Sequence, residues 1–272
     1  MPVSVPGTNV RDMDREAIIE TESERFAEVL ADAPSDARVP SCPDWTAGDL
    51  LWHLTEVQLF WAGILGRDAR TEADVEAVEN SKPERPTGLA ASLALRRQAT
   101  ESLVAELRRL DDSEPRWSWF DPDQTVGFTR RMQTYEATMH RVDAELAAGL
   151  AAGPIAPDVA AGAIGHGIEV MWGWMADWAT YEPKAIGEFV ATDTDQRWLV
   201  ELGRWFGTGP ESGNQFDEPR AVPAISGTPT VTARAPVVDL ALWAWGRAGS
   251  AEISGDPDSR RALDAVISQG MP

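Results

Sequence analysis

The chain has 272 residues, 43% of them hydrophobic and 25% charged, enough to bury one large core or two ordinary ones without a staple. Against 24 basic residues stand 44 acidic ones, a formal charge of -20, which excludes nucleic acid and anionic membrane surfaces as default partners. The single cysteine, Cys42, excludes an intrachain disulfide framework and favours a reducing, cytoplasmic setting.

Met1 to Asp14 is polar and carries proline and glycine, without the basic-then-apolar order of a signal peptide. Apolar residues then recur three or four apart, the spacing of helices. The first helix is expected from about Asp12 to Asp32, with Ile18, Ile19, Phe26, Val29 and Leu30 on its apolar side. Ala33, Pro34 and Ser35 stop it. The second follows the loop from Val39 to Trp45, where Thr46 and Asp49 form a capping-box pattern, and runs to about Leu65. The charged stretch from Arg67 to Pro86 reads as a solvated connection. A third helix is expected over Leu89 to Leu110. Asp111 to Gly127, with Trp117, Trp119 and Phe120, reads as a loop that packs over a cavity mouth or a bundle end. A fourth helix covers about Thr129 to Leu150. A weakly apolar one follows from Pro157 to Trp178, its His166, Glu169, Asp177 and glycines arguing against a membrane span. Four or five antiparallel helices make a bundle the natural solution.

After Pro183 the segments shorten. Gly187–Ala191, Arg197–Leu202, Pro229–Arg234 and Ala251–Ser254 read as strands, and Val237–Arg247 and Pro257–Ile267 as helices. The expected fold class is therefore α+β, with a helical bundle over residues 10–180 and a smaller α+β domain over 184–272.

Only three histidines occur. His53 sits within the second helix, and His140 on the fourth, four residues after Glu136. An i,i+4 pair projects from one helical face, and helices two and four of a bundle can face each other, so His53 could supply a third ligand. Two imidazoles and a carboxylate suit zinc or another divalent transition ion and leave a coordination position open. Glu56 lies one turn from His53 and Asp143 one turn from His140, and either could orient an imidazole rather than bind metal. Surface pairing at i,i+3 explains both equally well. Cys42 reads as a buried structural thiol. Trp45, Trp52 and Trp61 read as bundle core, whereas Trp117, Trp119, Trp172 and Trp174 could line a pocket.

The stretch from Val39 to Leu54, VPSCPDWTAGDLLWHL, resembles the opening motif of the mycothiol-dependent maleylpyruvate isomerase family. Arg130 to Glu145, RRMQTYEATMHRVDAE, resembles its second motif. Ala241 to Arg247, ALWAWGR, followed by Ile253 to Asp256, is similar to the end of the family's smaller domain. The resemblance implies a DinB-like N-terminal four-helix bundle with zinc on His53, Glu136 and His140; a monomer is the expected state, though not one the resemblance implies. It also implies an activity-supporting arginine, for which Arg247 fits best, although a helix-end arginine satisfying terminal carbonyls would look the same. The implied cosubstrate is mycothiol, whose thiol would ionise on the metal. The thiolate would then isomerise a small electrophilic substrate about a double bond, or transfer sulfur to one with a leaving group or epoxide. Arg247 would hold a substrate carboxylate. One departure is His166-Gly-Ile-Glu169, where the family has an Asp-Gly-Ile-Asp-like run. His166 is treated as peripheral. Two other functions remain open: a hydrolase using zinc-bound water, with Glu56 or Asp143 as base, and a non-catalytic protein that encloses a small ligand.

Overall fold

The computed structural model describes residues 13–271. The start expected near Asp12 for the first helix, the domain start at residue 10, and the signal-peptide reading of the N-terminal segment up to Asp12 lie outside them. The chain forms two compact units, Met1–Ala151 and Ala152–Pro272.

The first unit contains α1 (Arg15–Asp32), β1 (Arg38–Val39), β2 (Cys42–Thr46), α2 (Ala47–Gly66), α3 (Glu72–Glu79), α4 (Leu89–Arg109) and α5 (Val126–Ala147). Helix α1 packs on α4 and α5, and α2 packs on the same two, so these four close into a bundle. Phe26, Leu30, Val39, Leu50, Leu54 and Ala144 form part of its core. Each large side chain buried there contributes about 1.5–3 kcal/mol. Local chemistry sets the ends. Thr46 and Asp49 satisfy each other's backbone N–H groups as a capping box, as do Thr71 and Asp74. Asp14 and Thr125 cap α1 and α5. Gly149, at φ 72°, takes the left-handed conformation just past the end of α5.

Three local expectations in this unit are corrected. The connection from Arg67 to Pro86 contains α3, a charged helix with only Val78 buried, seated where Gly63 of α2 has no side chain; a Cβ there would lie 2.7 Å from Val78 Cγ1. The loop before α2 is a small antiparallel pair, with Arg38 opposite Thr46 and Val39 opposite Cys42. Helix α5 starts three residues earlier than its apolar spacing indicates, because Thr125 supplies the cap.

The second unit contains α6 (Pro157–His166), a π-helical turn at Gly167–Met171, β3 (Thr180–Ala191), β4 (Arg197–Thr208), β5 (Gln215–Pro223), β6 (Val231–Ala235), α7 (Val237–Ala244), β7 (Glu252–Gly255) and α8 (Pro257–Ile267). The sheet order is β5-β4-β3-β6-β7, with β3 and β6 parallel and the other pairs antiparallel. Helix α8 packs on the sheet, and α6 packs on α7. This last contact moves the unit boundary from the expected 180–184 to 151–152, since α6 has its partner in the second unit. The helix expected to reach Trp178 leaves α geometry after His166 and folds back at Gly173, where a Cβ would lie 2.5 Å from the Glu169 carbonyl oxygen. Among the described residues no helix is long and apolar enough to cross a membrane.

Candidate metal centre

The three expected ligands meet inside the first unit. Helix α2 carries His53, and α5 carries Glu136 and His140 one turn apart. His53 Nε2 lies 3.4 Å and His140 Nε2 3.2 Å from the same oxygen, Glu136 Oε1. One donor atom from each residue lies within 4.8 Å of the others. The two imidazoles meet nearly edge to face, centroids 4.9 Å apart at 78°. His140 is 1% exposed at its side chain, Glu136 17% and His53 29%, so the cluster is closed around His140 and partly exposed at Glu136 and His53.

Asp143 settles the orientation of His140. Its Oδ2 lies 2.9 Å from His140 Nδ1, and its Oδ1 accepts a hydrogen bond from Ser41 Oγ at 2.5 Å. With Nδ1 engaged there, Nε2 faces Glu136, which is how a buried carboxylate fixes a ligating imidazole. Glu56, at the same offset from its own histidine, instead accepts from Lys82 Nζ at 2.8 Å. The Trp45 ring lies 4.6 Å from that of His53 and 6.3 Å from that of His140. It is half-buried on β2 rather than on a helix, and packs against the bundle core as expected.

The donor set fits a divalent transition ion on two grounds. Metal–ligand bonds of about 2.0–2.1 Å at tetrahedral angles put neighbouring donor atoms roughly 3.3 Å apart, matching the two measured edges. Charge agrees. Burial alone would push His140 down, but Glu136 and Asp143 outweigh it and hold the imidazole well above the ordinary histidine range. Burial would likewise raise Glu136, yet His140 and His53 hold it below the usual carboxylate range. The cluster thus demands a positive charge, which a proton or a metal cation can supply.

Arg247 is in the second unit, 7% exposed, donating from Nη1 to the carbonyl oxygens of Trp245, at 2.5 Å, and Met271. Trp245 is the C-cap of α7, so these are the contacts of a helix-end arginine. His166 is buried at the end of α6. Cys42 is half-buried on β2 against the bundle core. Trp61 is buried and stacks on Trp117, Trp119 is 37% exposed beside Phe128, and Trp172 is buried against Phe189. Sequence reasoning missed Ser41, whose partner is 102 residues away, and two buried polar residues of α5, Thr129 and Gln133. The helical stripe Thr129, Gln133, Glu136, His140 was the available signal for the latter pair.

Fold and site together define an α+β chain whose helical bundle gathers two imidazoles and a carboxylate on facing helices. Residues 17–145 match the family model of the mycothiol maleylpyruvate isomerase N-terminal domain. Two solved structures are similar across both units: the crystal structure of the mycothiol-dependent maleylpyruvate isomerase and that of a histidine-to-alanine mutant of it. Each aligns over 90% of this chain and 94% of its own, at 12% identity and a TM-score of 0.58. At that identity the likeness speaks to the fold. No curated protein matches the chain. The resemblance carried by the two N-terminal motifs is thereby borne out.

Proposed function

We propose that the chain is a metal-dependent enzyme that uses mycothiol as cosubstrate on a small electrophile, as an isomerase or a thiol S-transferase. The observation that carries this is the convergence of His53, Glu136 and His140, with Asp143 holding His140, inside a mycothiol maleylpyruvate isomerase N-terminal domain. His53, Glu136 and His140 would hold a divalent ion such as zinc, which would supply the Lewis acidity needed to ionise a thiol at neutral pH. The protein's own groups prepare the site. Asp143 keeps His140 Nε2 directed at the cluster, Ser41 fixes Asp143, and the Trp45 ring lies against the His53 imidazole. The partial exposure of His53 and Glu136 leaves the approach for small molecules.

The hydrolytic alternative is weaker on this geometry. Glu56 is engaged by Lys82, and Asp143 by His140 and Ser41, so neither candidate base is unencumbered. For Arg247, a role in holding a substrate carboxylate rests on the family motif; its contacts within the second unit are structural. The test is metal analysis of the purified protein and of His140→Ala, followed by turnover of unsaturated organic acids with and without mycothiol. About one metal per chain, lost in the variant, and strict thiol dependence are expected. A wild-type protein without stoichiometric metal overturns the proposal, and turnover without thiol replaces it with hydrolysis. Ligand retention without turnover in the presence of zinc and mycothiol replaces it with a binding protein.

A further inference from the structure

Helices α1 and α4 line a cavity of about 630 Å3, within the size range of small-molecule sites. Its lining changes character with depth: Ser23, Arg96 and Thr100 are buried, whereas Glu24, Arg97 and Glu101 are exposed. Arg96 is 1% exposed. Its Nη2 donates to Gln58 Oε1 and to Thr100 Oγ1, and among the described residues its Nε and Nη1, which carry most of the guanidinium's N–H donors, have no partner. The other buried arginines of the bundle show what is missing. Arg116 pairs with Asp68 at 2.8 Å and Glu114 at 3.5 Å, and Arg141 with Glu22 at 2.6 Å and Glu145 at 2.7 Å. Among the described residues no carboxylate stands against Arg96. Burial alone acts on it and lowers its pKa from 12.5 to about 9, which leaves it charged at neutral pH. A buried charge without a counter-charge is costly, and the cavity that Arg96 lines is where one can arrive.

The rim restricts what arrives. Of the glutamates in the lining, Glu20 is taken by Arg108 and Glu28 by Arg25, while Glu24 on α1 and Glu101 on α4 have no partner among the described residues. With Arg97, the unpaired charges of the lining balance, two of each sign, and the innermost is positive. A plain anion has to pass the exposed carboxylates, whereas a ligand that also bears a positive charge is held by them. We propose that the cavity binds a small zwitterion, its carboxylate on Arg96 and its ammonium group at Glu24 and Glu101. Guanidinium N–H groups suit a carboxylate, and glutamates suit the three donors of an ammonium. The proposal is independent of the metal centre, whose ligands stand on α2 and α5, and of the function proposed above.

The test titrates the full-length protein by isothermal calorimetry with glycine, β-alanine, γ-aminobutyrate and ε-aminocaproate, in which the carboxylate and the ammonium group stand progressively further apart. The carboxylate and the amine that match the best binder in length are the controls. At least one amino acid binds saturably, at least about tenfold tighter than either control, the size of one charge-assisted hydrogen bond. Arg96→Met lowers that affinity by at least about tenfold. Glu24→Gln combined with Glu101→Gln lowers it to that of the matching carboxylate, whose own affinity does not fall. Both glutamates are exposed, so the double variant carries the test should Arg96→Met not fold. Saturable binding by none of the amino acids overturns the assignment. So does a control that binds as tightly as the amino acid, or an affinity that either folded variant leaves unchanged, and Arg96 is then a structural residue.

Discussion

The two units treat buried charge in opposite ways. In the bundle, Arg96, Arg116, His140, Arg141, Asp143 and Glu145 are all nearly inaccessible, four of them within six residues of α5. Arg141 sits between Glu22 at 2.6 Å and Glu145 at 2.7 Å, and Arg96 reaches Gln58 and Thr100. In the sheet unit the buried titratable side chains among the described residues are His166 and Arg247, and the core is Phe189, Val200, Leu202, Val231, Leu240 and Val266. Burying charge costs several kcal/mol per ion before any partner is found, so it is weak evidence for stability. Its concentration on one helix points instead to a site that needs it. The second unit holds its shape by apolar packing and backbone pairing.

If that contrast is sound, the largest effect comes from His140→Ala. It removes a ligand and takes the imidazole partner from Asp143, which keeps Ser41, and from Glu136, which keeps His53. Metal binding is lost, and stability falls by about 3–5 kcal/mol, the range for breaking a buried pair. Inductively coupled plasma analysis and urea unfolding read the two outcomes separately. Retention of both metal and stability would mean that α5 does not centre the site. Asp143→Asn is milder. The amide still touches His140, but it no longer favours the tautomer that presents Nε2, and metal affinity drops about 10–100-fold by chelator competition.

Arg247→Ala sharpens the other side. It leaves the Trp245 and Met271 carbonyls without their guanidinium donor, so the protein loses about 1–3 kcal/mol while metal stoichiometry, set in the other unit, is unchanged. Differential scanning calorimetry with metal analysis checks this. If Arg247→Lys restores stability but leaves KM for a carboxylate substrate raised, the arginine also serves the substrate.

The contrast between the units also governs what the sequence could reveal. Helices α1, α2, α4 and α5 announce themselves through apolar spacing, α2 also through its capping box, and the i,i+4 offset places Glu136 and His140 on one face before any tertiary contact is known. Asp143 and Glu56 stand at identical offsets from a histidine. Only the arrival of Ser41 from the loop between β1 and β2, and of Lys82 from the α3–α4 connection, tells them apart. In the sheet unit β5 escapes notice because Pro219 and Pro223 interrupt its pattern. As an edge strand it tolerates them. The turn after His166 escapes because nothing in apolar periodicity distinguishes a π-helical turn from an α-helical one.

The smallest effect tests whether local chemistry in the bundle is separable from its buried charge. Asp49 accepts from the Thr46 hydroxyl at 2.6 Å, from Arg85 at 2.8 Å and from the Thr46 N–H at 3.1 Å. Those contacts, the hydroxyl first, lower its carboxyl from 3.8 to about 2. Because the folded value lies below the unfolded one, the contribution is complete above about pH 4 and fades as pH falls towards about 2. Arg85 is largely exposed and adds little. Thr46→Ala should therefore cost about 1 kcal/mol at neutral pH, and Asp49→Asn somewhat less. The gap between Asp49→Asn and wild type, read by urea unfolding, should narrow on acidification below about pH 4. Both variants keep full metal content, since the cap anchors the start of α2 one to two turns before His53 without touching the cluster. A cap variant that loses metal would show that the site depends on how α2 begins, and that local and buried chemistry in the bundle are coupled.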